Sequence, residues 1–478
     1  MTLLHPSGFR ACDARWRWGA EVDADGMRAV GLAFAAQMQA RGAGREVVLG
    51  RDFRGYSGMV ADAVAEGLAA GGAVVRDIGL CLTPTAYFAR DRLGVGPVAM
   101  VTASHNPNGW TGLKMGLAAP LTHRPADMAE LRDMVGRAPE RPGGRRVAER
   151  GMRSAYLDDL ASARLAHPLR VVVACGNGTA GVFAPDLLRR IGAEVVERHC
   201  TLDAAFPHHD PNPEALAMLD DLGATVRRSG ADLGLAFDGD GDRCGAVDAD
   251  GRPLFADLAG LLLARALAPR HPGMGIVIDV KSTGLFAADP VLAGQGATVE
   301  VVRTGHSHVK ARMAETGAML GIEKSGHAYF GGPLGRGYDD GLRLAVELCA
   351  LMDRTGRPLA DLAADLPRTW NTPTLSPACA DDAKDAVAAR VAADLAAAGR
   401  LGGRRIARVV EVDGARAELE GGAWALVRAS SNTPNLVVVC ESPTSHSELR
   451  AILADVTALL RRHPEVGRYD QDLPEPPA

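Results

Sequence analysis

Three times along this chain the same order of elements recurs, and that recurrence narrows the possible folds more than any other feature. Residues 47–55 (VVLGRDFRG), 171–181 (VVVACGNGTAG) and 276–284 (IVIDVKSTG) each open as a short β-branched run and end in polar residues and glycine. Each is followed by a helical stretch and then by a second run built on Gly-Ala-x-Val or close to it: GGAVVRDIG from Gly71, IGAEVVERH from Ile191 and QGATVEVVRTG from Gln295. A third run then empties into a loop of reactive side chains: PVAMVTASHNP, DLGLAFDGDGD and AMLGIEKSGH. Near-continuous apolar runs that alternate with helices predict α/β units whose mainly parallel sheets are covered on both faces.

The breaks between units follow from composition. Residues 137–151 (RAPERPGGRRVAERG) are rich in Pro, Gly and Arg and read as a connector. Residues 250–256 separate the second unit from the third, and LPRTWNTPTLSPA (366–378) interrupts the pattern again. Beyond it come an Ala-rich helix (381–398), short strands around 407–420 and a final helix over 445–461, the composition of a smaller α+β unit. The expected domains are therefore residues 1–145, 146–254, 255–368 and 369–478. At 478 residues the chain is long enough for four cores.

The loops carry the chemistry. In VTASHNPNG (101–109) an apolar run ends in Ser104, His105 and an Asn-Pro-Asn-Gly turn signal. Small polar residues just past a strand end are where α/β proteins place reactive groups, although an ordinary strand-to-helix connector has the same look. In the second loop Asp238, Asp240 and Asp242 alternate with two glycines and precede Arg243. Three converging carboxylates repel unless a cation neutralises them, and oxygen-only ligands select a hard ion, Mg²⁺ or Ca²⁺. An EF-hand is excluded, because its invariant glycine would fall on Arg243 and its bidentate glutamate on Ala249. In the third loop Glu323, Ser325 and His327 offer a carboxylate, a hydroxyl and an imidazole, a set suited to a polyol. A fourth loop, RASSNTP, places Arg428 beside Ser430, Ser431 and Asn432 and reads either as an oxyanion cradle or as a polar hairpin turn.

Charge and cysteine content limit the partners. The formal net charge is −5, which argues against nucleic acid and against an anionic membrane surface. The eight cysteines are scattered without a C-x-x-C pair, so neither a zinc ribbon nor a redox pair is indicated, and a reducing, cytoplasmic location is expected. The most apolar helical stretch, residues 258–268, contains Arg265 and is too short to span a bilayer.

Taken together, the four loops resemble those of the α-D-phosphohexomutase family in their order along the chain, over nearly its whole length. TASHNP resembles that family's phosphoserine loop, DGDGDR its metal loop, GIEKSGH its sugar loop and RASSNTP its phosphate loop. The resemblance implies three related mixed-sheet α/β domains and a smaller C-terminal α+β domain around a central cleft. It implies that Ser104 carries a phosphoryl group and that Asp238, Asp240 and Asp242 bind Mg²⁺ together with an oxygen on that serine. Glu323 and Ser325, with His327, would hold the sugar, while Arg428, Ser430, Ser431 and Asn432 would recognise the non-transferring phosphate. Matches outside the loops place Arg15, Lys114, Arg243, Lys281 and His306 in the same site, with Arg15, Lys114 and His306 as open alternatives for proton transfer. His105 would shape the serine loop, and His308, His208 and His209 match no motif and read as surface or structural histidines. The chain departs from the family pattern at Cys12, at Trp16 and in the middle of RASSNTP.

The activity implied is interconversion of hexose 1- and 6-phosphates, of mannose or glucose, through a hexose 1,6-bisphosphate. A phosphoglucosamine mutase and a non-mutase phosphosugar-binding or phosphatase-like protein are the alternatives. The partner expected is a small phosphosugar, with the chain a monomer or weak homo-oligomer.

Overall fold

A computed structural model describes residues 3–162, 164–431 and 433–471. The repeat is visible in it as topology. The strand Glu46–Arg51 lies between two parallel neighbours, Val74–Leu80 and Val98–Val101, and Val98–Val101 then pairs antiparallel with Trp110–Gly116. Arg170–Ala174 lies in the same way between Glu194–Arg198 and Leu233–Phe237, with Cys244–Asp248 antiparallel to the latter. Gly275–Asp279 lies between Thr298–Val302 and Leu320–Ile322, with Ala328–Phe330 completing the pattern. The sheets are mixed rather than parallel throughout. Each reactive loop is the turn of the one antiparallel hairpin that all three units share, so residues 102–109 lead into a strand and not into a helix.

The first sheet is extended by Ala14–Arg17 at one edge and by Arg145–Ala148 at the other. The second of these lies inside the Pro/Gly/Arg-rich run read above as a connector. It adds an edge strand to Val74–Leu80, where arginines on the open side suit an unpaired edge. The fourth sheet is antiparallel, built mainly on Leu436–Ser442, Trp424–Ala429, Ala415–Leu419 and Arg404–Val410. Helices Lys384–Ala398 and His446–Leu460 cover it. Among the described residues, no helix is long and apolar enough to cross a membrane.

Local signals set the helix ends. Asp23, Asp340 and Ser445 each accept a hydrogen bond from a backbone N–H in the first turn of the helix that follows. Gly94, Gly230, Gly317 and Gly356 close helices in the left-handed conformation that favours glycine.

Packing divides the molecule in a different place from topology. One continuous apolar cluster runs from Val48 and Met100 in the first unit through Val171 and Phe237 to Leu342 and Leu366 in the third. The fourth unit keeps its own cluster, from Leu375 through Leu395 to Leu460. Removing a buried leucine side chain costs about 2–5 kcal/mol. Leu342→Ala should therefore lower the melting transition shared by the first three units, and Leu395→Ala a separate transition of the fourth. Differential scanning calorimetry of the two variants distinguishes these outcomes from a single cooperative transition that both lower.

Candidate active site

The acidic loop lies where the units meet. Asp238, Asp240 and Asp242 are 0% exposed. Gly239 lets the loop pass against the serine loop, because a Cβ there would stand 2.4 Å from the Ser104 carbonyl oxygen. Gly241 takes a φ of +74°, which re-aims the next carboxylate. Backbone bonds hold the loop from several sides. Thr83 N–H donates to Asp240 O, Thr179 N–H to Gly239 O and Gly341 N–H to Gly241 O. Cys244 N–H donates to Gly326 O, tying this hairpin to the third one.

Cations offset part of the buried charge. Lys114 Nζ donates to Asp240 Oδ2 at 2.8 Å and also to Asp242. Arg243 Nε lies 3.1 Å from Asp238 Oδ2, and the Thr83 hydroxyl donates to Asp240 Oδ2 at 2.6 Å. Burial and the charges of Asp240 and Asp242 push Asp238 up to about 7. Burial also opposes ionisation of Asp240, but Lys114 and the Thr83 hydroxyl outweigh it and hold that carboxyl below its usual range. Asp240 Oδ1 and Asp242 Oδ1 remain buried with no hydrogen-bond partner. One oxygen from each of the three carboxylates lies within 4.8 Å of the others. Orphaned carboxylate oxygens at this spacing fit a hard divalent cation.

Ser104 faces this loop. Its φ is +51°, and its hydroxyl donates to Asp238 Oδ2 at 2.8 Å. The strained backbone is held by Arg54, whose guanidinium donates to the carbonyls of Ser104 (3.0 Å), Asn106 and Pro107 (2.9 Å). Asp52 pairs with Arg54 at 3.3 Å. His105 is half-buried, and desolvation together with Arg243 and Arg15 lowers its pKa well below the usual value. Arg15 donates to Thr102 O and, at 2.7 Å, to Asp13.

The third hairpin brings Glu323, Ser325 and His327 alongside. Glu323 accepts from Gly305 N–H at 3.0 Å and from the Tyr329 hydroxyl, and burial raises its pKa. His327 Nδ1 lies 3.1 Å from Asp339 Oδ2, whose other oxygen accepts from buried Lys310 at 2.6 Å. His306 accepts or donates at Nδ1 with Thr122 Oγ1 (3.1 Å), while its Nε2 is buried without a partner. Burial, with Lys310 nearby, keeps this imidazole neutral, its pKa well below the usual value.

The fourth loop completes the enclosure. Arg428 pairs with Asp413 at 2.6 Å and donates to Ser431 Oγ at 2.9 Å. Ser430 Oγ lies 2.8 Å from Thr433 Oγ1. Asn432 lies outside the described residues.

These side chains share one cleft of about 590 Å³. Arg15, Ser104, Lys114 and Arg243 line it with Lys281, His306, Glu323, Ser325, His327, Arg428, Ser430 and Ser431. The three aspartates stand immediately behind Ser104 and Lys114.

Comparison with known proteins agrees with this architecture unit by unit. Residues 6–141, 154–251 and 256–370 match the phosphoglucomutase/phosphomannomutase alpha/beta/alpha domains I, II and III, and residues 378–459 match the C-terminal domain of the same family. The chain belongs to the phosphoglucomutase/phosphomannomutase family. It is 35% identical over 465 residues to a phosphomannomutase/phosphoglucomutase of Pseudomonas putida, covering 97% of each chain. A phosphoglucomutase of Neisseria gonorrhoeae is 34% identical over 441 residues, 91% of this chain and 93% of that one. A solved phosphoglucomutase/phosphomannomutase family protein from Burkholderia thailandensis superposes with a TM-score of 0.85 at 33% identity, covering 99% of this chain and 100% of that one.

For a member of this family the cleft holds groups that loop reading alone passed over. Glu214 is one. It pairs with Lys281 at 3.5 Å and with Arg243 at 3.8 Å, and accepts from the Thr374 hydroxyl at 2.7 Å. One carboxylate thus joins the second, third and fourth units. Cys12, at a position where the chain departs from the family pattern, lines the cleft as a neutral thiol, which burial pushes up to about 12.

Burial raises the Glu214 pKa, but Lys281 and Arg243 outweigh it and hold the carboxyl below 4.5. A depressed carboxylate adds stability above its unfolded pKa and loses it as the pH falls through the folded one. Glu214→Gln should therefore flatten the acid limb of the Tm–pH curve below about pH 4.5 and lower Tm at neutral pH; calorimetry across that range reads both. For the acidic loop, Mg²⁺ added to chelator-treated protein should raise stability by about 2.7 kcal/mol at a hundredfold excess over Kd. Asp240→Asn should remove most of that shift in thermal unfolding.

Proposed function

We propose that this chain is a phosphohexomutase interconverting the 1- and 6-phosphates of mannose and glucose, with Ser104 as phosphoryl carrier and Mg²⁺ held by Asp238, Asp240 and Asp242. The observation that carries the reading is Ser104 Oγ, 2.8 Å from Asp238, in a cleft that also holds the separate anion-binding group Arg428, Ser430 and Ser431. The names of the relatives support the same reaction.

One-step transfer between the two ends of a hexose is closed by distance. A phosphorylated Ser104 avoids it. The P–Oγ bond breaks as the free sugar hydroxyl gives up its proton and bonds to phosphorus; Ser104 Oγ leaves as a hydroxyl by taking up a proton, and the sugar becomes a 1,6-bisphosphate. That molecule turns by about half a revolution and returns its other phosphoryl group to Ser104. Bound Mg²⁺ supplies charge neutralisation at the phosphoryl oxygens. Arg15, Lys114 and Arg243 add positive charge around them. Arg428, Ser430 and Ser431 clamp the phosphate that is not moving. Glu323, Ser325 and His327 bind sugar hydroxyls, and Lys281 completes the cationic wall.

The hydroxyl proton needs an acceptor. Arg15 is already engaged with Asp13 and the Thr102 carbonyl, and a guanidinium has no acceptor lone pair to offer. Lys114 is already committed to Asp240 and Asp242. His306 is part of the cleft lining, has a neutral ring with a buried, unpartnered Nε2, and is the group we assign to take and return the proton.

A substrate panel tests the reading. Mannose 1-phosphate and glucose 1-phosphate should turn over in the presence of Mg²⁺, whereas a preference for glucosamine 1-phosphate would move the chain to the amino-sugar alternative. Ser104→Ala should abolish turnover with the fold intact, and intact-mass analysis should find a covalent phosphoryl group on the wild type and none on the variant. His306→Ala should lower kcat by roughly 10²–10⁴-fold. Undiminished kcat in that variant assigns the proton to another group.

A further inference from the structure

A second cluster of ligating side chains lies in the second unit, behind the acidic loop and outside the cleft. The chain turns sharply after Glu194–Arg198, with His199 at a φ of +52°, a conformation non-glycine residues rarely hold without a reason. The residues that follow return to place His208 and His209 beside it. The His199 and His208 rings stack at 3.6 Å between centroids, and the His209 ring meets His199 edge-on at 5.7 Å. Helix Leu216–Ser229 presents Asp221 to the same spot, where Oδ2 lies 3.2 Å from His199 Nε2.

We propose that His199, His209 and Asp221 form a binding site for a borderline transition-metal ion, Zn²⁺ by chemical class, distinct from the acidic loop. One ligating atom from each of the three lies within 4.8 Å of the others. Tetrahedral zinc with bonds of about 2.0–2.1 Å needs ligand atoms about 3.3 Å apart, and the His199–Asp221 separation already meets that. His209 has the polarity of a ligand. Its Nδ1 lies 3.0 Å from the Asp210 carbonyl oxygen, which fixes the proton there and leaves the lone pair on Nε2. That Nε2 is buried and has no hydrogen-bond partner. Asp221 is oriented in turn by Arg198, which donates to both carboxylate oxygens at 2.9 and 2.6 Å. Two imidazoles and one carboxylate suit Zn²⁺ over Mg²⁺, and three protein ligands leave a fourth position for water.

The site braces a segment that matters to the cleft. Asn177 N–H donates to His199 O at 2.7 Å, and Asn177 Nδ2 to Thr201 O at 2.8 Å. Two residues beyond His209, Pro211 packs against Gly176 and Gly239, the glycine that also touches the Ser104 backbone. An ion here fastens the segment 199–211 to helix Leu216–Ser229 one layer behind the serine.

The test uses the full chain, stripped with chelator and held in excess Mg²⁺ to occupy the acidic loop, with Zn²⁺ titrated by calorimetry. One equivalent of Zn²⁺ should bind. His209→Gln should weaken binding by roughly 10²-fold or more, since outer-shell losses alone cost 10–100-fold. His199→Asn, which tolerates the left-handed backbone, should do the same. Asp240→Asn should keep the equivalent. Co²⁺ in place of Zn²⁺ should give the visible absorption of a tetrahedral site in the wild type and not in His209→Gln. Wild-type affinity in both histidine variants, no binding in the presence of Mg²⁺, or an equivalent lost only in Asp240→Asn each overturns the proposal.

Discussion

Everything in this molecule is arranged around the burial of three like charges. Asp238, Asp240 and Asp242 lie at 0% exposure within a few ångströms of one another. Isolated carboxylates do not survive such burial in charged form. Lys114, Arg243 and the Thr83 hydroxyl offset part of the cost, and each comes from a different stretch of chain. The glycines between the aspartates are equally necessary. A side chain at position 239 would strike the Ser104 carbonyl, and the serine would lose its place next to Asp238. Charge compensation and close backbone approach are therefore one requirement. The orphaned oxygens of Asp240 and Asp242 show where the protein's own cations stop.

The threefold topology explains how one site collects residues from so far apart in sequence. Each unit places its reactive turn at the same hairpin, at the end of a strand paired in parallel to the strand that opens the repeat in that unit. Joining the units through a shared apolar cluster brings the three hairpin ends together. The backbone contact between Arg243 and His327 links the second hairpin directly to the third. A single fold element, repeated and re-equipped, thus yields a serine, a carboxylate cluster and the Glu323, Ser325 and His327 set. The left-handed Ser104 is stabilised by Arg54, whose three carbonyl contacts hold the turn rigid.

What was legible in the sequence is what is local. Apolar period, glycine spacing and the alternation of aspartates lie within a few residues of one another, so the repeat and the four loops could be read directly. The direction of the strand after each loop could not. Trp110–Gly116 and Cys244–Asp248 are short apolar runs, which periodicity cannot assign to hairpin or crossover. The partners were hidden for a different reason. Arg54 acts on carbonyls 50 residues and more away, and Lys310 forms its buried pair with Asp339 across 29. Glu214 sits in a stretch without motif, yet meets Lys281 and Thr374. Arg145–Ala148 carries the composition of a connector because an edge strand keeps its arginines in water. His208 and His209 match no motif, and their ring contacts with His199, one stacked and one edge-on, depend on a turn no propensity scale encodes.

The fourth unit shows how clamp and core are separated. Its apolar cluster is its own, and much of its contact with the rest is polar: Arg10 with Asp381, Arg416 on the carbonyls of Val280 and Ser282, Glu441 on Gly284 N–H. The exception is a small patch in which Val280 meets Trp424, Leu426, Val437 and Val439. Hydrogen bonds and ion pairs at such a boundary are each worth little net and re-form readily in water, whereas buried apolar area does not. The three units that share one apolar cluster and hold Ser104 and the aspartates thus meet the unit that holds Arg428 across polar contacts and a small apolar patch. The continuous core therefore lies on the side of the serine, and the polar seam on the side of the arginine.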